Sequence, residues 1–524
     1  MTDRKQSWLN QNAIIIFFFL VKFTQLFFTS SNYELHRDEY LYLAEGDHMA
    51  WGYLEVPPLV PFLAFLTKSL FGSSITAVRL FPTLFGAGIV ALGGLMAREM
   101  GGKKYAEVLG CCVILFSSAF VRVSILFMPV IVELFFWTIY SYLIFRYLNH
   151  RSAKNLIFLG IAFGLGMMTK YSSAFFIVSL LIGLALTNER KLFINRWFWI
   201  ATAIAFIIFL PNLLWQYNYN FPVVHHMKEL RETQLINVNW GDFLKDQLIM
   251  NLTVLPIWII GLGALLFSKT LANYRIIGLT AFFVVFILMI SSGKSYYTLG
   301  VYPVLLAAGA VQIEQWLIGK VSYWFRPAFI LVPVVLLYLI LPICIPYLPT
   351  TKMIAFGKKM VAKGIDGPWR WEDGKIHDLP QDYADMFGWE EIAKKVAETY
   401  HSLSPEEQKQ TIIFCDNYGF AGAVQYYNKR LNLNLPEVQS LDASFMLWTP
   451  AELRFKTMIY VDWVRNNDAG AFKLFHSVKQ TGAMTNIYSR ERGTGVYLLQ
   501  QPVDNIDELV KGAVKQERAF LAEN

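Results

Sequence analysis

The chain has 524 residues, of which 55% are hydrophobic, 16% aromatic and 16% charged. Charge well below the roughly 25% of soluble domains excludes an ordinary soluble protein. The net charge of +7 needs no nucleic acid partner, because many basic residues sit in short loops between apolar runs, and the four cysteines match neither a disulfide framework nor a zinc ribbon.

Residues 12–345 alternate long apolar runs with short charged loops, whereas 350–524 has mixed composition. A membrane span needs about 20 mostly apolar residues. Eleven segments are read as spans: 12–30, 75–97, 105–121, 124–146, 155–169, 172–188, 196–215, 247–267, 275–292, 297–317 and 327–346. The first follows Arg4 and Lys5. Its apolar stretch is long and no small-x-small site precedes Asn32, so a retained signal anchor is expected rather than a cleaved peptide. Arg98, Lys103, Lys104, Arg146, Arg151, Arg190 and Arg275 fall on the side of the amino terminus, which the positive-inside rule assigns to the cytoplasm. An odd count then puts the carboxy-terminal region outside. The expected fold class is a polytopic α-helical membrane protein of about 11 transmembrane helices, with a C-terminal extracytoplasmic α/β domain. Residues 1–346 form the membrane domain, with external loops at 31–74 and 216–246, and residues 347–524 the soluble one.

The first external loop concentrates the chemistry. Glu34–Pro61 holds Glu34, Asp38, Glu39, Glu45, Asp47 and Glu55 together with His36, His48 and Arg37. A helix starting at Asp38 would align Asp38, Tyr42 and Glu45 on one face, and Leu41, Ala44, His48 and Trp51 on another. Asp38 and Glu39 also suit a helix N-cap and first-turn acid, a role that leaves Glu45, Asp47 and Glu55 unexplained. His36, His48, Asp38 and Glu39 are metal-ligand types whose spacing matches no dedicated motif, so no metal site and no cofactor is predicted. The second loop carries His225, His226, Lys228, Arg231 and Trp240, and short surface helices are expected in both loops. In the tail, a helix is read at 389–400, a strand at 411–415, a helix at 419–427, strands near 457–461, 473–477 and 496–500, and a last helix at 504–521.

Basic residues recur near the external ends of spans. Arg79, Arg122, Lys170 beside Tyr171, and Lys294 before Tyr296 and Tyr297 lie at one membrane level. Each alone reads as an interfacial anchor. Together, beside an acidic loop, they read as an anion site at headgroup depth, with phosphate the natural anion.

These features resemble the GT-C superfamily of polyprenyl-phosphate-sugar-dependent glycosyltransferases, in the branch joining bacterial protein O-mannosyltransferases and lipid A aminoarabinose transferases. The resemblance rests on Asp38-Glu39 followed by Pro57-Pro58, Arg79, Thr169-Lys170-Tyr171, and Lys294-Ser295-Tyr296-Tyr297 running into Tyr302-Pro303. Asn417-Tyr418-Gly419 with Ala421, and Trp448-Thr449-Pro450, add to it. Two positions depart from the pattern: Val56 stands where many relatives have lysine, and Pro129 is followed by Val130, the nearest acid being Glu133.

The resemblance implies an inverting transferase that moves a sugar from a polyprenyl-phosphate donor lipid to a hydroxyl or phosphate acceptor on a lipid, glycan or protein. The setting it implies is the extracytoplasmic face of a bacterial inner membrane. Asp38 is the expected base, with Glu39 orienting it or the acceptor. Arg79, Lys170, Tyr171, Lys294, Tyr297 and Glu55 are expected to hold donor and phosphate. A transporter or flippase would share the spans but not the acid-rich loop, and it commonly shows repeated halves, which are not visible. An anchored binding protein would leave the loop acids without a role.

Overall fold

The computed structural model describes residues 2–29, 32–233, 235–463 and 470–521. The expected end of the first span at Ser30 and start of the loop at Ser31 lie outside the described residues. Six helices are long and apolar enough to cross a membrane: Trp8–Phe28, Ile75–Glu99, Pro129–His150, Arg196–Asn218, Ala272–Ile290 and Ser295–Trp316. Trp240–Met250 and Leu252–Phe267 make a seventh if counted as one span bent by 65°. The apolar helices Ala153–Met167, Ser173–Ala185 and Ala328–Cys344 are shorter. At about 1.5 Å per residue the 15 residues of Ala153–Met167 rise only about 22 Å, short of the roughly 30 Å hydrocarbon core.

The segment expected to span at 105–121 is instead two helices, Lys104–Leu115 and Ser118–Val123. The break docks against the bend at 251–253. Ser117 donates to Asn251 Oδ1 (2.7 Å), while Thr253 Oγ1 accepts from the Ser118 amide (3.1 Å) and donates to the Phe116 carbonyl (2.8 Å). Two interruptions thus satisfy each other's freed backbone groups, as irregular backbone at membrane depth requires.

The first external loop folds into helices Arg37–Glu45 and Leu59–Phe71. The loop helix starts one residue before the position read from the sequence and stops at Gly46, so His48 and Trp51 lie beyond it. Its cap is His36, whose Nδ1 accepts from the Asp38 amide (3.2 Å). Glu39 completes a capping box by accepting from the His36 amide (2.7 Å). Asp38 is therefore not the N-cap.

Residues 411–502 build a five-stranded sheet: β1 Thr411–Cys415, β2 Val438–Gln439, β3 Thr457–Asp462, β4 Phe475–Ala483 and β5 Gly495–Pro502. The order is β2-β1-β3-β5-β4. β1 runs parallel to β2 and β3, and β5 runs antiparallel to β3 and β4. Helix Trp389–His401 buries Ile392, Ala393 and Val396 in one core with Ile413 of β1 and Val461 of β3. The strand expected at 473–477 begins at Phe475, after a short 3-10 turn at Gly470–Leu474.

Helix Tyr418–Leu431 joins the sheet to the loop helix. Gly422 permits this approach, because a Cβ there would lie 2.9 Å from the Tyr40 backbone. Below it, the Glu34 carboxylate accepts from the amides of Gly388 (3.0 Å) and Glu390 (2.9 Å), at the start of helix Trp389–His401, and from the Tyr427 hydroxyl (3.0 Å). An anion at a helix N-terminus is favoured both by free N–H groups and by the helix dipole. These bonds hold the acidic loop against the carboxy-terminal region.

Candidate active site

A cavity of about 770 Å³ opens where the loop, the membrane helices and the carboxy-terminal region meet. Asp38, Tyr42 and Glu55 of the loop line one wall, and Tyr418 and Asp442 of the carboxy-terminal region extend it. Lys170, Tyr171, Lys294, Tyr296 and Tyr297 line it from the membrane helices.

Asp38 is the second residue of the loop helix, and 37% of its side chain is exposed, so solvent or substrate can reach the carboxylate. Its Oδ1 accepts from the Tyr418 hydroxyl (2.8 Å). Burial, and then the Asp38 charge, raise the Tyr418 phenol far above its ordinary value, so it remains a proton donor. Tyr418 is itself fixed: its amide donates to Asp442 Oδ2 (2.9 Å), and the Arg37 guanidinium lies 4.7 Å from its ring centre. Oδ2 of Asp38 lies 3.9 Å from His36 Nδ1.

Glu55 accepts from the Ser444 hydroxyl, whose oxygen in turn takes the Leu54 amide (3.0 Å). Behind it Glu45 is fully buried, next to the Glu55 carboxyl and the Ser444 hydroxyl. Burial, then the nearby Glu55 carboxylate, push the Glu45 carboxyl well above the usual range, which keeps it protonated.

At the membrane end Lys170 Nζ lies 3.8 Å from Glu133 Oε2, and 4.1 and 5.5 Å from the ring centres of Tyr297 and Tyr296. Ser172 donates to the other Glu133 oxygen (2.5 Å). A buried carboxylate and two aromatic faces thus hold the ammonium while leaving 19% of the side chain exposed to the cavity. Lys294 sits just before the 3-10 turn Ser295–Val301 and lines the same cavity. Tyr171 donates to Asn212 (3.1 Å) and accepts from Gln216 (2.7 Å), and Asn212 also donates to the Trp51 carbonyl (2.8 Å). That chain ties helix Arg196–Asn218 to the loop.

Two expected site residues lie elsewhere. Arg79 is fully buried outside the cavity, donating to the carbonyls of Thr29 and Glu34 (the latter at 3.3 Å). It joins the end of the first span to the loop, because a buried guanidinium must satisfy several N–H groups and two chain carbonyls are at hand. Glu39 is also fully buried and absent from the cavity wall. One of its oxygens takes the His36 amide and the other takes Phe127 N–H (2.8 Å), so it pins the loop helix to the segment before Pro129–His150. Asp38, Glu55, Lys170, Tyr171, Lys294 and Tyr297 do come together. Sequence reasoning gave no site role to Tyr418, Asp442, Tyr296 or Glu133. The glycines at 419 and 422 flanking a helical face were the available signal for Tyr418. The paired cavity histidines, His225 and His226, lie on helix Pro222–Thr233, where His225 stacks on Phe520 (3.9 Å between ring centres). Among the described residues no three His, Cys, Asp or Glu side chains are grouped to hold a metal ion.

Residues 55–215 match the family described as dolichyl-phosphate-mannose-protein mannosyltransferase. The lipid A galacturonosyltransferase RgtD of Rhizobium johnstonii is 23% identical over 227 residues, covering 43% of this chain and 47% of that protein. The chain therefore matches about half the length of this curated relative. Two structures of ArnT from Cupriavidus metallidurans, one bound to undecaprenyl phosphate and one apo, share the fold. Each gives a TM-score of 0.59 and 13% identity, over 93% of this chain and 98% of that one. Residues 55–215 thus carry the pattern of the dolichyl-phosphate-mannose-protein mannosyltransferase family, and the chain as a whole shares the fold of ArnT.

Proposed function

We propose that the protein transfers a sugar from a polyprenyl-phosphate donor to a hydroxyl or phosphate acceptor on a lipid, glycan or protein, at the extracytoplasmic face of a bacterial inner membrane. One observation carries the reading: a single cavity joins the partly exposed carboxylate of Asp38 to the ammonium groups of Lys170 and Lys294. A phosphate-linked sugar already has a good leaving group, so the reaction needs a base at one end and cations at the other. In the hydroxyl case, Asp38 Oδ2 takes the acceptor proton as the acceptor oxygen bonds to the anomeric carbon. The carbon–oxygen bond to phosphate breaks, its electron pair leaves on the phosphate oxygen, and Lys170 and Lys294 neutralise the charge. Attack by the acceptor alone, with no covalent sugar on the protein, inverts the anomeric centre.

Glu55, held by Ser444, is placed to accept hydrogen bonds from sugar hydroxyls, and Tyr171 and Tyr297 flank the cations. No step is assigned to a metal ion. Eleven membrane crossings and an external domain at 347–524 belong to the same proposal, since they put cavity and carboxy-terminal region on the side opposite the basic loops. ArnT bound to undecaprenyl phosphate, and RgtD as a lipid A galacturonosyltransferase, support this donor and acceptor chemistry.

The test is mass spectrometry of surface lipids, glycans and envelope proteins from a deletion strain, complemented with wild type or with Asp38→Asn. A sugar lost on deletion, restored by wild type and not by Asp38→Asn, is expected. Unchanged lipids, glycans and envelope proteins, with the protein shown to be expressed in the parent strain, would overturn it.

A further inference from the structure

The loop helix is capped by a histidine where a smaller side chain would serve. Ser, Thr, Asp and Asn are the usual caps, and Asn is among the best of them. What an imidazole adds is a second nitrogen on the far side of the ring. His36 Nδ1 accepts from the Asp38 amide (3.2 Å), so the neutral ring carries its proton on Nε2. Nε2 lies 4.0 Å from Asp385 Oδ2, while Nδ1 is 3.9 Å from Asp38 Oδ2. One buried imidazole therefore stands between the proposed base and a second carboxyl group.

The backbone holds this row in register. On either side of His36, the Glu34 amide donates to the Met386 carbonyl (3.1 Å) and the Arg37 amide to the Asp385 carbonyl (3.2 Å). Asp385 is buried, and its Oδ2 also accepts from Arg490 (3.2 Å). Burial pushes the Asp385 carboxyl up to about 6, against the pull of His36, Arg490 and Arg37. The remaining charges around the pair are Asp382 of helix Gln381–Ala384, held by Arg122 of Ser118–Val123, and two glutamates. Glu372 pairs with Arg490 (3.0 Å), and Glu491 with Arg37 (3.8 Å). An imidazole of fixed tautomer, backed by a carboxyl group, is suited to take up a proton and hold it.

We propose that His36 and Asp385 are positioning residues for the transfer step, together taking over the proton that Asp38 removes from the acceptor. The inference rests on the reading of Asp38 as the base. The acceptor O–H bond breaks, its proton goes to Asp38 Oδ2, and from there it passes to His36 Nδ1. Nδ1 then exchanges its bond from the amide for one to the Asp38 carboxylate. The imidazolium is balanced by Asp385, and Asp38 is an anion again while product still fills the cavity. When product leaves, the proton returns through Asp38 to water. Both gaps must close by about 1 Å, as catalytic hydrogen bonds that are long in substrate-free sites do in the complex.

The experiment measures transfer by the purified full-length protein in detergent as a function of pH. The donor is undecaprenyl phosphate carrying the sugar that the deletion strain lacks, and the acceptor is the molecule that loses it. His36→Asn keeps a cap, so its melting temperature should stay near wild type. Its turnover should fall about tenfold or more. The acid limb of its kcat/KM profile should move to lower pH, because imidazoles titrate above carboxylates and this one is gone. Asp385→Asn should lower turnover and move the limb the same way, and the double variant should fall no further than His36→Asn alone. Normal turnover or an unmoved limb in folded His36→Asn would reduce His36 to a cap and overturn the pair. Should that variant fail to fold, an unmoved limb in Asp385→Asn would do so instead, and loss of the fold in both would make the pair structural and end the proposal. Near-normal transfer by Asp38→Asn, or no sugar missing from the deletion strain, would overturn the base reading and the pair with it.

Discussion

The two ends of the polar cavity solve opposite problems with different parts of the chain. At the acid end, Asp38 and Glu55 come from a loop between membrane helices, and the carboxy-terminal region supplies their partners, Tyr418 and Ser444. At the cation end, Lys170 is held entirely by membrane helices, through Glu133, Tyr296 and Tyr297. The acids are hydrogen-bonded by hydroxyls, which orient their carboxyl groups. The lysine is paired with a buried carboxylate, which spares part of its desolvation cost and makes it depend on that partner. Under the proposed mechanism the first end serves proton transfer and the second holds the phosphate charge.

The largest expected effect separates the ends by turnover. Asp38→Asn keeps size and most hydrogen bonding but loses the base, so transfer from a polyprenyl-phosphate sugar should fall about a hundred- to ten-thousand-fold. Undecaprenyl phosphate binding should be little changed. Near-normal transfer would move the base to another residue.

Lys170→Ala should break the other end. It strands Glu133 in a buried site, a change of the kind that costs about 3–5 kcal/mol. The double variant Lys170→Ala, Glu133→Gln should recover the melting temperature without recovering undecaprenyl phosphate affinity. If stability and affinity return together, the lysine serves the fold and not the phosphate. Lys294→Ala, tested alongside, should weaken undecaprenyl phosphate binding by roughly 1.5–3 kcal/mol, the worth of a charge-assisted contact.

Glu39→Gln sharpens the contrast with its neighbour. Glutamine can accept only one of the two amides that Glu39 now serves, at His36 and Phe127. A loss of about 1–3 kcal/mol in stability is expected, with turnover per folded molecule close to wild type. A folded but inactive Glu39→Gln protein would return Glu39 to the chemistry.

The smallest effect concerns Glu45. Its carboxyl is raised in the folded state, so its contribution to stability is complete below the ordinary carboxylate range and is lost as pH climbs towards the raised value. Glu45→Gln should match wild type in melting temperature at pH 4 and exceed it at pH 8. A Gln variant that is less stable at both pH values would mean that Glu45 is ionised and paired.

Much of this was legible in the sequence, and the reasons for the rest are local. β1 has the bounds read for it, Thr411–Cys415, because a short apolar run between polar turns leaves little choice. A short surface helix was expected in the first external loop, and Leu59–Phe71 is one, ending at Gly72 with φ 77°. Asp38 and Glu39 could not be told apart as neighbours in a row. About 100° of helix rotation sends one to the cavity and the other to the Phe127 amide, and a histidine cap is outside the usual Ser, Thr, Asp and Asn preference. Arg79 looked like its basic neighbours in spacing. Only the backbone carbonyls of Thr29 and Glu34, brought together in three dimensions, claim it. Lys170 and Glu133 are likewise a tertiary pair that no periodicity announces.

The Glu34 seat has a consequence for biogenesis. Its partner amide at Gly388 lies 354 residues later in the chain, so the loop is synthesised long before the groups that receive it. A chain ended before residue 388 would contain Asp38 and both cavity lysines. It would lack the helix start that anchors Glu34 and the phenol that orients Asp38. The loop is thus held in its working geometry only once the carboxy-terminal region has been made and folded beside it, which makes completion of synthesis a condition for assembly of the cavity.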